Sequence, residues 1–227
     1  MNSFFITGTD TDVGKTYVTA GLAVTLRKIG IDVGVMKPFA AGMAQKNGFQ
    51  SEDIEILSNA AGISDPENLV NPQFFPIPAS PYTASRMLKI KPKIATVLSS
   101  LKKLSKLHEL ILVEGMGGIM TPIKKNYYVS SLIKDMNIPT VIVTSSRIGT
   151  VNHTLMTCMM CKNYKIPIKG IIINNFEKGY SISELKQDIE NLTGVNVLGS
   201  IPFIKNMSDS SLNRIFTKNL DMKIFLK

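Results

Sequence analysis

Six short runs of β-branched and other apolar residues recur along the chain, at 3–7, 33–37, 109–114, 140–144, 169–174 and 196–198. Runs of this length suit strands, and LILV and VIVT are continuously apolar enough for strands covered on both faces of a parallel sheet. Between the runs lie segments with helical spacing of apolar positions, predicting helices at 15–28, 52–61, 94–107, 129–136, 151–164 and 183–191. Strand and helix in alternation predict an α/β fold: a doubly wound, mostly parallel sheet with helices on both faces and ligands at the carboxyl ends of the strands. Residues 71–81, NPQFFPIPASP, hold too much proline for a regular helix or a central strand. They are expected to make a rigid excursion over an edge or a mouth. No linker-like tract divides the 227 residues, so a single domain over 1–227 is expected.

The net charge of +9 raises nucleic acid and membrane surfaces as partners, but the 26 Lys and Arg are scattered rather than gathered in one tract. The densest stretch, 89–106, reads as an amphipathic helix with a solvated lysine face. The start, MNSFFITGTD, lacks a secretion signal, and no segment approaches the roughly 20 apolar residues that span a bilayer. Two cysteines make no disulfide framework. A cytoplasmic protein with no nucleic-acid or membrane partner is therefore expected.

The first apolar run ends in GTDTDVGKT, residues 8–16, and Val18, Leu22 and Leu26 then follow at helical spacing. Strand, glycine loop and helix are the context of a phosphate-binding loop, in which backbone N–H groups and a helix N-terminus surround phosphate oxygens. Lys15 would reach the β- and γ-phosphates and the Thr16 hydroxyl would take a place on Mg²⁺. The loop is a variant, with five residues between Gly8 and Gly14 where the general pattern has four.

Phosphoryl transfer needs a second positive group and carboxylates for the metal. Lys37 ends the run VGVMK before Pro38, either as a lysine aimed into the crevice or as an ordinary surface lysine at a strand end. Glu114 closes ELILVE and leads into Gly115, Met116, Gly117 and Gly118. A carboxylate at the end of a buried strand is costly unless paired or metal-bound. Asp53, in SEDIE, is either a helix-start acid or a metal ligand.

Taken in order, GTDTDVGKT, VGVMKPFAAG, VEGMGGIMTP, IGTVNHTLMT, GIIINN and GSIPFI resemble dethiobiotin synthetase, a family of the P-loop NTPase superfamily, from the first strand to about residue 204. The resemblance implies ATP-dependent closure of the ureido ring of dethiobiotin from 7,8-diaminononanoate and CO₂, with ATP and Mg²⁺ as cofactors. It implies a carbamate on one amine, phosphorylated by the γ-phosphate and attacked by the neighbouring amine. Carried over by position, Lys37, Lys15 and Thr11 are the catalytic residues, and Thr16, Asp53 and Glu114 hold the metal. Asp12, Val13, Gly14, Lys15, Thr16 and Tyr17 bind ATP, as do Gly115, Met116 and Gly117, with Asn174, Asn175, Pro202, Phe203 and Ile204 at the adenine. Ala41, Lys37, Gly117 and Gly118 contact the substrate, whose carboxylate is held by Thr150, Val151 and Asn152 of a second subunit. The implied assembly is a homodimer with composite sites.

Three positions depart from the family pattern: Asp12 stands where many members have Glu, Ala41 where a Ser or Thr hydroxyl is usual, and Tyr82 where His is expected. Cys158 and Cys161 have CxxC spacing, but without a second pair and inside a helical segment they read as packing. His108 and His153 are expected to be structural or exposed. A switch-type ATPase of the septum-site or plasmid-partition kind is the alternative. Those proteins carry a lysine early in the loop, where Asp10, Thr11 and Asp12 stand here. The basic tail, 212–227, would then be a membrane-surface helix, whereas packing on the domain is its simpler use. Glutamine-dependent amide-forming relatives need an amidotransferase domain for which 227 residues leave no room.

Overall fold

The computed structural model describes residues 2–175, 181–203 and 207–226. Strand β1 (Ser3–Gly8) feeds helix α1 (Lys15–Lys28) through the glycine loop, and β2 (Val33–Met36) follows. A side unit of β3 (Phe39–Ala41), α2 (Glu52–Ala61), α3 (Glu67–Val70), β4 (Gln73–Phe75) and α4 (Pro81–Leu88) precedes α5 (Ile94–Leu107) and β5 (Leu110–Gly118). The chain continues through β6 (Pro122–Lys124), β7 (Tyr127–Tyr128), α6 (Val129–Met136), β8 (Thr140–Ser145) and α7 (Thr150–Tyr164). It then makes β9 (Ile168–Asn174), α8 (Ile182–Thr193), β10 (Val197–Ile201), α9 (Asp209–Asn219) and a 3-10 turn, Met222–Phe225.

The six predicted strands form one sheet in the order β10-β9-β8-β1-β5-β2, with every pairing parallel. The pleat of β1 sends Phe5 to one face and Phe4 and Ile6 to the other. Phe5 belongs to one buried cluster with Leu101 of α5, Leu132 of α6, Cys161 of α7 and Ile189 of α8. Phe4 and Ile6 join Leu22 of α1, Leu57 of α2 and Phe216 of α9. Two apolar layers thus close over the sheet, each fully buried large side chain contributing about 1.5–3 kcal/mol. The chain winds to one side of β1 and then to the other, so the carboxyl end of β1 lies at the reversal of strand order, where ligands bind in such sheets.

Two predicted boundaries move in ways that affect chemistry. β5 runs on to Gly118, so Glu114 lies within a strand rather than at its end. β2 stops at Met36, and the Lys37 backbone N–H donates to the carbonyl of Val70 at 2.7 Å. The proline-rich excursion contains a short strand after all: β4 pairs in parallel with β3 as a separate two-stranded sheet, and Phe75 stacks on Phe39. Ser80 then caps α4, its hydroxyl accepting from the Thr83 N–H at 3.2 Å with Pro81 in the first turn.

The basic helix α5 buries Val97, Leu101 and Leu104 and leaves Lys102, Lys103 and Lys106 exposed, a solvated face as expected. The tail packs on the domain. Phe216 fills the space over Gly21, where a Cβ would lie 2.1 Å from its ring, and Phe225 meets Phe4 edge-on at 5.0 Å. Cys158 and Cys161 are buried core residues, their thiols pushed up by burial to about 11 and about 12. His108 bridges Asp32 and Asp65, and His153 is exposed.

Candidate active site

At the end of β1 a Cβ on Gly8 would come within 2.9 Å of Lys15 Nζ and 2.8 Å of the Asp10 carbonyl, so the turn closes only around glycine. The loop passes through two left-handed residues, Asp12 (φ 56°) and Gly14 (φ 87°). Asp is among the few side chains that tolerate that region. Asp10 organises the turn: its carboxylate accepts from the Thr11 N–H at 2.7 Å and its carbonyl from Lys15 Nζ at 2.8 Å. From the end of β9, the Asn174 amide donates to the Val13 carbonyl at 3.0 Å and packs on Gly14, where a Cβ would lie 2.0 Å from its nitrogen. Helix α1 opens with no side-chain cap and no acid in its first turn, which leaves its N–H groups for an anion. Burial pushes the Lys15 ammonium down to about 8, with Glu114 opposing and Lys37 adding to the effect.

Below the loop, α1, α2, β5 and the segment after β2 bring two carboxylates, a hydroxyl and an ammonium together. Thr16 Oγ1 lies 3.0 Å from Asp53 Oδ1 and 2.9 Å from Glu114 Oε1, one hydroxyl proton facing two acceptors. Lys37 Nζ donates at 2.5 Å to Asp53 Oδ2 and at 2.5 Å to Glu114 Oε1. Glu114 is 0% exposed, Lys37 is 6% exposed, and Glu114 Oε2 is buried without a hydrogen-bond partner. Burial would lower the Lys37 pKa, but the charges of Glu114 and Asp53 hold it above the ordinary lysine value. Burial would raise the Asp53 pKa, but Lys37, and then the Thr16 hydroxyl, hold it below the ordinary carboxyl value. Lys37 and Asp53 are therefore both charged at neutral pH. The hard oxygens of Thr16, Asp53 and Glu114, with the orphaned Oε2, fit a small divalent cation. Among the described residues no group of three or more His, Cys, Asp or Glu is placed to hold a metal. Two carboxylates with room for water and phosphate suit Mg²⁺ better than an all-protein cage.

This cluster lies in a cleft of about 530 Å³ that Thr11, Asp12, Gly14, Lys15, Thr16, Tyr17, Lys37, Ala41, Asp53, Glu114, Gly115, Met116 and Gly117 also line. The Tyr17 hydroxyl is buried with no partner, and burial pushes it up to about 12. Val13 is buried beneath the loop, and Gly118 pairs with Gly8 across β1 and β5. Asn174, Asn175, Pro202 and Phe203 are not among the lining residues; they lie at the carboxyl ends of β9 and β10, where the Asn175 N–H donates to the Ile201 carbonyl at 2.6 Å. Ile204 lies outside the described residues. Thr150, Val151 and Asn152 open α7 and do not line this cleft. Thr150 is buried, its hydroxyl donating to the Ser145 carbonyl at 2.7 Å, while Asn152 is exposed.

Glu52, Ile56 and Met207 also line the cleft and escaped sequence reasoning. Ile56 lies three residues after Asp53 on α2, so helical spacing from Asp53 was a usable signal for it, whereas Glu52 precedes Asp53 and carried none. Met207 is brought in by the approach to α9, for which the sequence carries no sign.

A family described as an AAA domain matches residues 2–211. The chain is 72% identical to the ATP-dependent dethiobiotin synthetase BioD of Nitrosopumilus maritimus (strain SCM1), with 100% of each chain covered. It is 37% identical to the protein of that name from Bacillus velezensis, covering 100% of this chain and 97% of the relative. For the namesake in Thermodesulfovibrio yellowstonii the identity is 36%, with 98% of each covered. Among solved structures, the Pyrococcus furiosus cell division ATPase MinD superposes with a TM-score of 0.58 at 18% identity over 96% of both chains. A ParA family ATPase from Chlorobium tepidum TLS gives 0.54 at 17%, covering 96% of this chain and 92% of its own. At such identities these two share the fold alone.

Proposed function

The chain belongs to the ATP-dependent dethiobiotin synthetase family, and on that premise we propose how its residues divide the work of the reaction. The enzyme joins CO₂ to 7,8-diaminononanoate and closes the ring to give dethiobiotin, ADP and phosphate in biotin biosynthesis, with ATP and Mg²⁺ as cofactors. The switch-type ATPase alternative is left with a distant likeness of fold.

One amine takes up CO₂ as a carbamate. A carbamate oxygen attacks the γ-phosphorus as ADP leaves, forming a carbamic-phosphoric anhydride. The second amine then attacks the carbonyl carbon, and phosphate departs with the bridging oxygen. Negative charge collects on the carbamate and phosphoryl oxygens, so catalysis rests on positioning and on fixed positive charge. Lys15 and Lys37 supply that charge, with Thr11 at the loop mouth. Thr16, Asp53 and Glu114 hold Mg²⁺, which when bound neutralises phosphate oxygens. The observation that carries this reading is the meeting of Lys37, Thr16, Asp53 and Glu114 in the cleft that Lys15 and the uncapped end of α1 also face.

The loop from Asp12 to Tyr17 and the turn of Gly115, Met116 and Gly117 hold the triphosphate. Asn174 spends one N–H on the Val13 carbonyl, leaving its oxygen and second N–H for the adenine edge beside Asn175, Pro202 and Phe203. Ala41, Gly117 and Gly118 face the diamine chain. The substrate carboxylate goes to the N-terminus of α7 of a second protomer, at Thr150, Val151 and Asn152. Two observations support a homodimer: those residues do not line their own cleft, and the α7 region exposes Ile148 (88%), Met156 (57%) and Met159 (65%). The whole chain acts as one synthetase domain in the cytoplasm; no described helix is long and apolar enough to cross a membrane.

The test is phosphate release measured with and without each co-substrate. Release should require both 7,8-diaminononanoate and bicarbonate, and Lys37→Ala should abolish dethiobiotin while ATP still binds. Turnover without the diamine, or a fully active Lys37→Ala, contradicts the assignment.

A further inference from the structure

Lys37 stands where a metal between Asp53 and Glu114 has to act. Its ammonium bonds to both carboxylates, whereas the Lys15 ammonium is turned to the Asp10 carbonyl. Glu114 has no access to water, and a buried carboxylate without a counter-charge is not tolerated. The hydroxyl of Thr16 is neutral and cannot serve as that counter-charge; its one proton faces both acids. With two lysines and two acids, the nucleotide-free cluster is neutral by itself. A divalent cation added to it without nucleotide creates an excess of positive charge and removes the Lys37 ammonium from the two carboxylates that it bonds to.

We propose that Lys37 is the resident counterion of the metal site, held by Asp53 and Glu114 in the nucleotide-free protein and released to the reacting phosphoryl group by metal–nucleotide exchange. The inference rests on the reading of Thr16, Asp53 and Glu114 as metal ligands. ATP makes the exchange possible, because its phosphates give the displaced ammonium new anionic partners. Metal and nucleotide therefore bind cooperatively, and Lys37 reaches the chemistry only when both are present. Free metal is a weak ligand of the resting site, and without metal the lysine stays on the carboxylates.

Mn²⁺ titration followed by electron paramagnetic resonance tests this on nucleotide-free wild type and Lys37→Met, which keeps the side-chain length and removes the charge. Lys37→Met should bind Mn²⁺ at least about tenfold more tightly, since the competing charge-assisted bonds are gone. Equal or weaker binding overturns the inference. A crystal structure of wild type with Mn²⁺ and a non-hydrolysable ATP analogue needs no variant: Lys37 Nζ should have left both carboxylates, and finding it still bonded to both beside bound Mn²⁺ also overturns it. Glu114→Gln separates the two levels of the argument. If its Mn²⁺ affinity in the presence of the analogue matches wild type, the metal-ligand reading fails and the inference with it. A fall in that affinity, with Lys37→Met no different from wild type, sinks the inference alone.

Discussion

Single residues in the cleft carry distinct burdens, and the charged ones are the least replaceable. Glu114→Gln keeps the shape of the side chain but removes a buried charge from Lys37 and the metal; a loss of roughly 10²–10³ in kcat is expected from steady-state kinetics. Ala41 is the opposite case. It lines the cleft, half-buried, where family members usually place a hydroxyl. Ala41→Ser should lower the KM for the diamine about fivefold, the equivalent of one neutral hydrogen bond, and leave kcat nearly unchanged. A change confined to kcat would show that position 41 does not contact the ground-state substrate. Asp12, which stands where many members have Glu, gains a local rationale from its φ of 56°, since a short acid side chain is at home in the left-handed region.

Individual elements are pinned together by small polar devices that leave a signature in stability. His108, at the end of α5, bridges Asp32 at 2.8 Å and Asp65 at 2.7 Å. Burial would lower its pKa, but the two carboxylates hold it above the ordinary 6.5. A raised folded pKa means that this stabilisation is complete below about 6.5 and is lost as pH rises through the higher folded value. Thermal melts should show wild type losing Tm from pH 6 to pH 9 and His108→Gln losing less; parallel profiles would contradict the role. The end of β8 is tied to both neighbours by hydroxyls. Thr150 donates to the Ser145 carbonyl, so at 2.6 Å it accepts from Thr144, which in turn accepts from Thr9 at 3.2 Å and Thr154 at 2.9 Å. Thr144→Val strands buried donors and should cost about 1–3 kcal/mol in denaturant melts, with Thr144→Ser close to wild type. The six main strands and helices α1, α2, α5, α6, α7 and α8 were legible because short apolar runs alternate with helix-length segments along the chain. The side unit of β3 and β4 was not, since strands of three residues beside prolines carry no period, and α9 was seen only as an amphipathic tail.

At the level of the whole molecule, the site was legible to the extent that it follows the chain. The loop of residues 8–16 and Lys37 follow the carboxyl ends of β1 and β2, Glu114 lies within β5, and their chemistry shows in their neighbours in sequence. The role of Asp53 was ambiguous, because only tertiary packing turns it from a helix-start acid toward Thr16 and Lys37. Met207 was invisible for the same reason, whereas a position outside this cleft for Thr150, Val151 and Asn152 was expected only through the resemblance. That placement gives the oligomer prediction: sedimentation should show a dimer, and Met156→Glu with Met159→Glu should yield a folded monomer with most activity lost. A fully active monomer would contradict the composite site. The central claim is that the γ-phosphoryl group passes to a carbamate oxygen, and it is tested most directly with ¹⁸O-labelled CO₂ in a single turnover. The account predicts one ¹⁸O in the released phosphate for each dethiobiotin formed, carried there by the bridging oxygen. Phosphate free of ¹⁸O, with dethiobiotin still made, would contradict it.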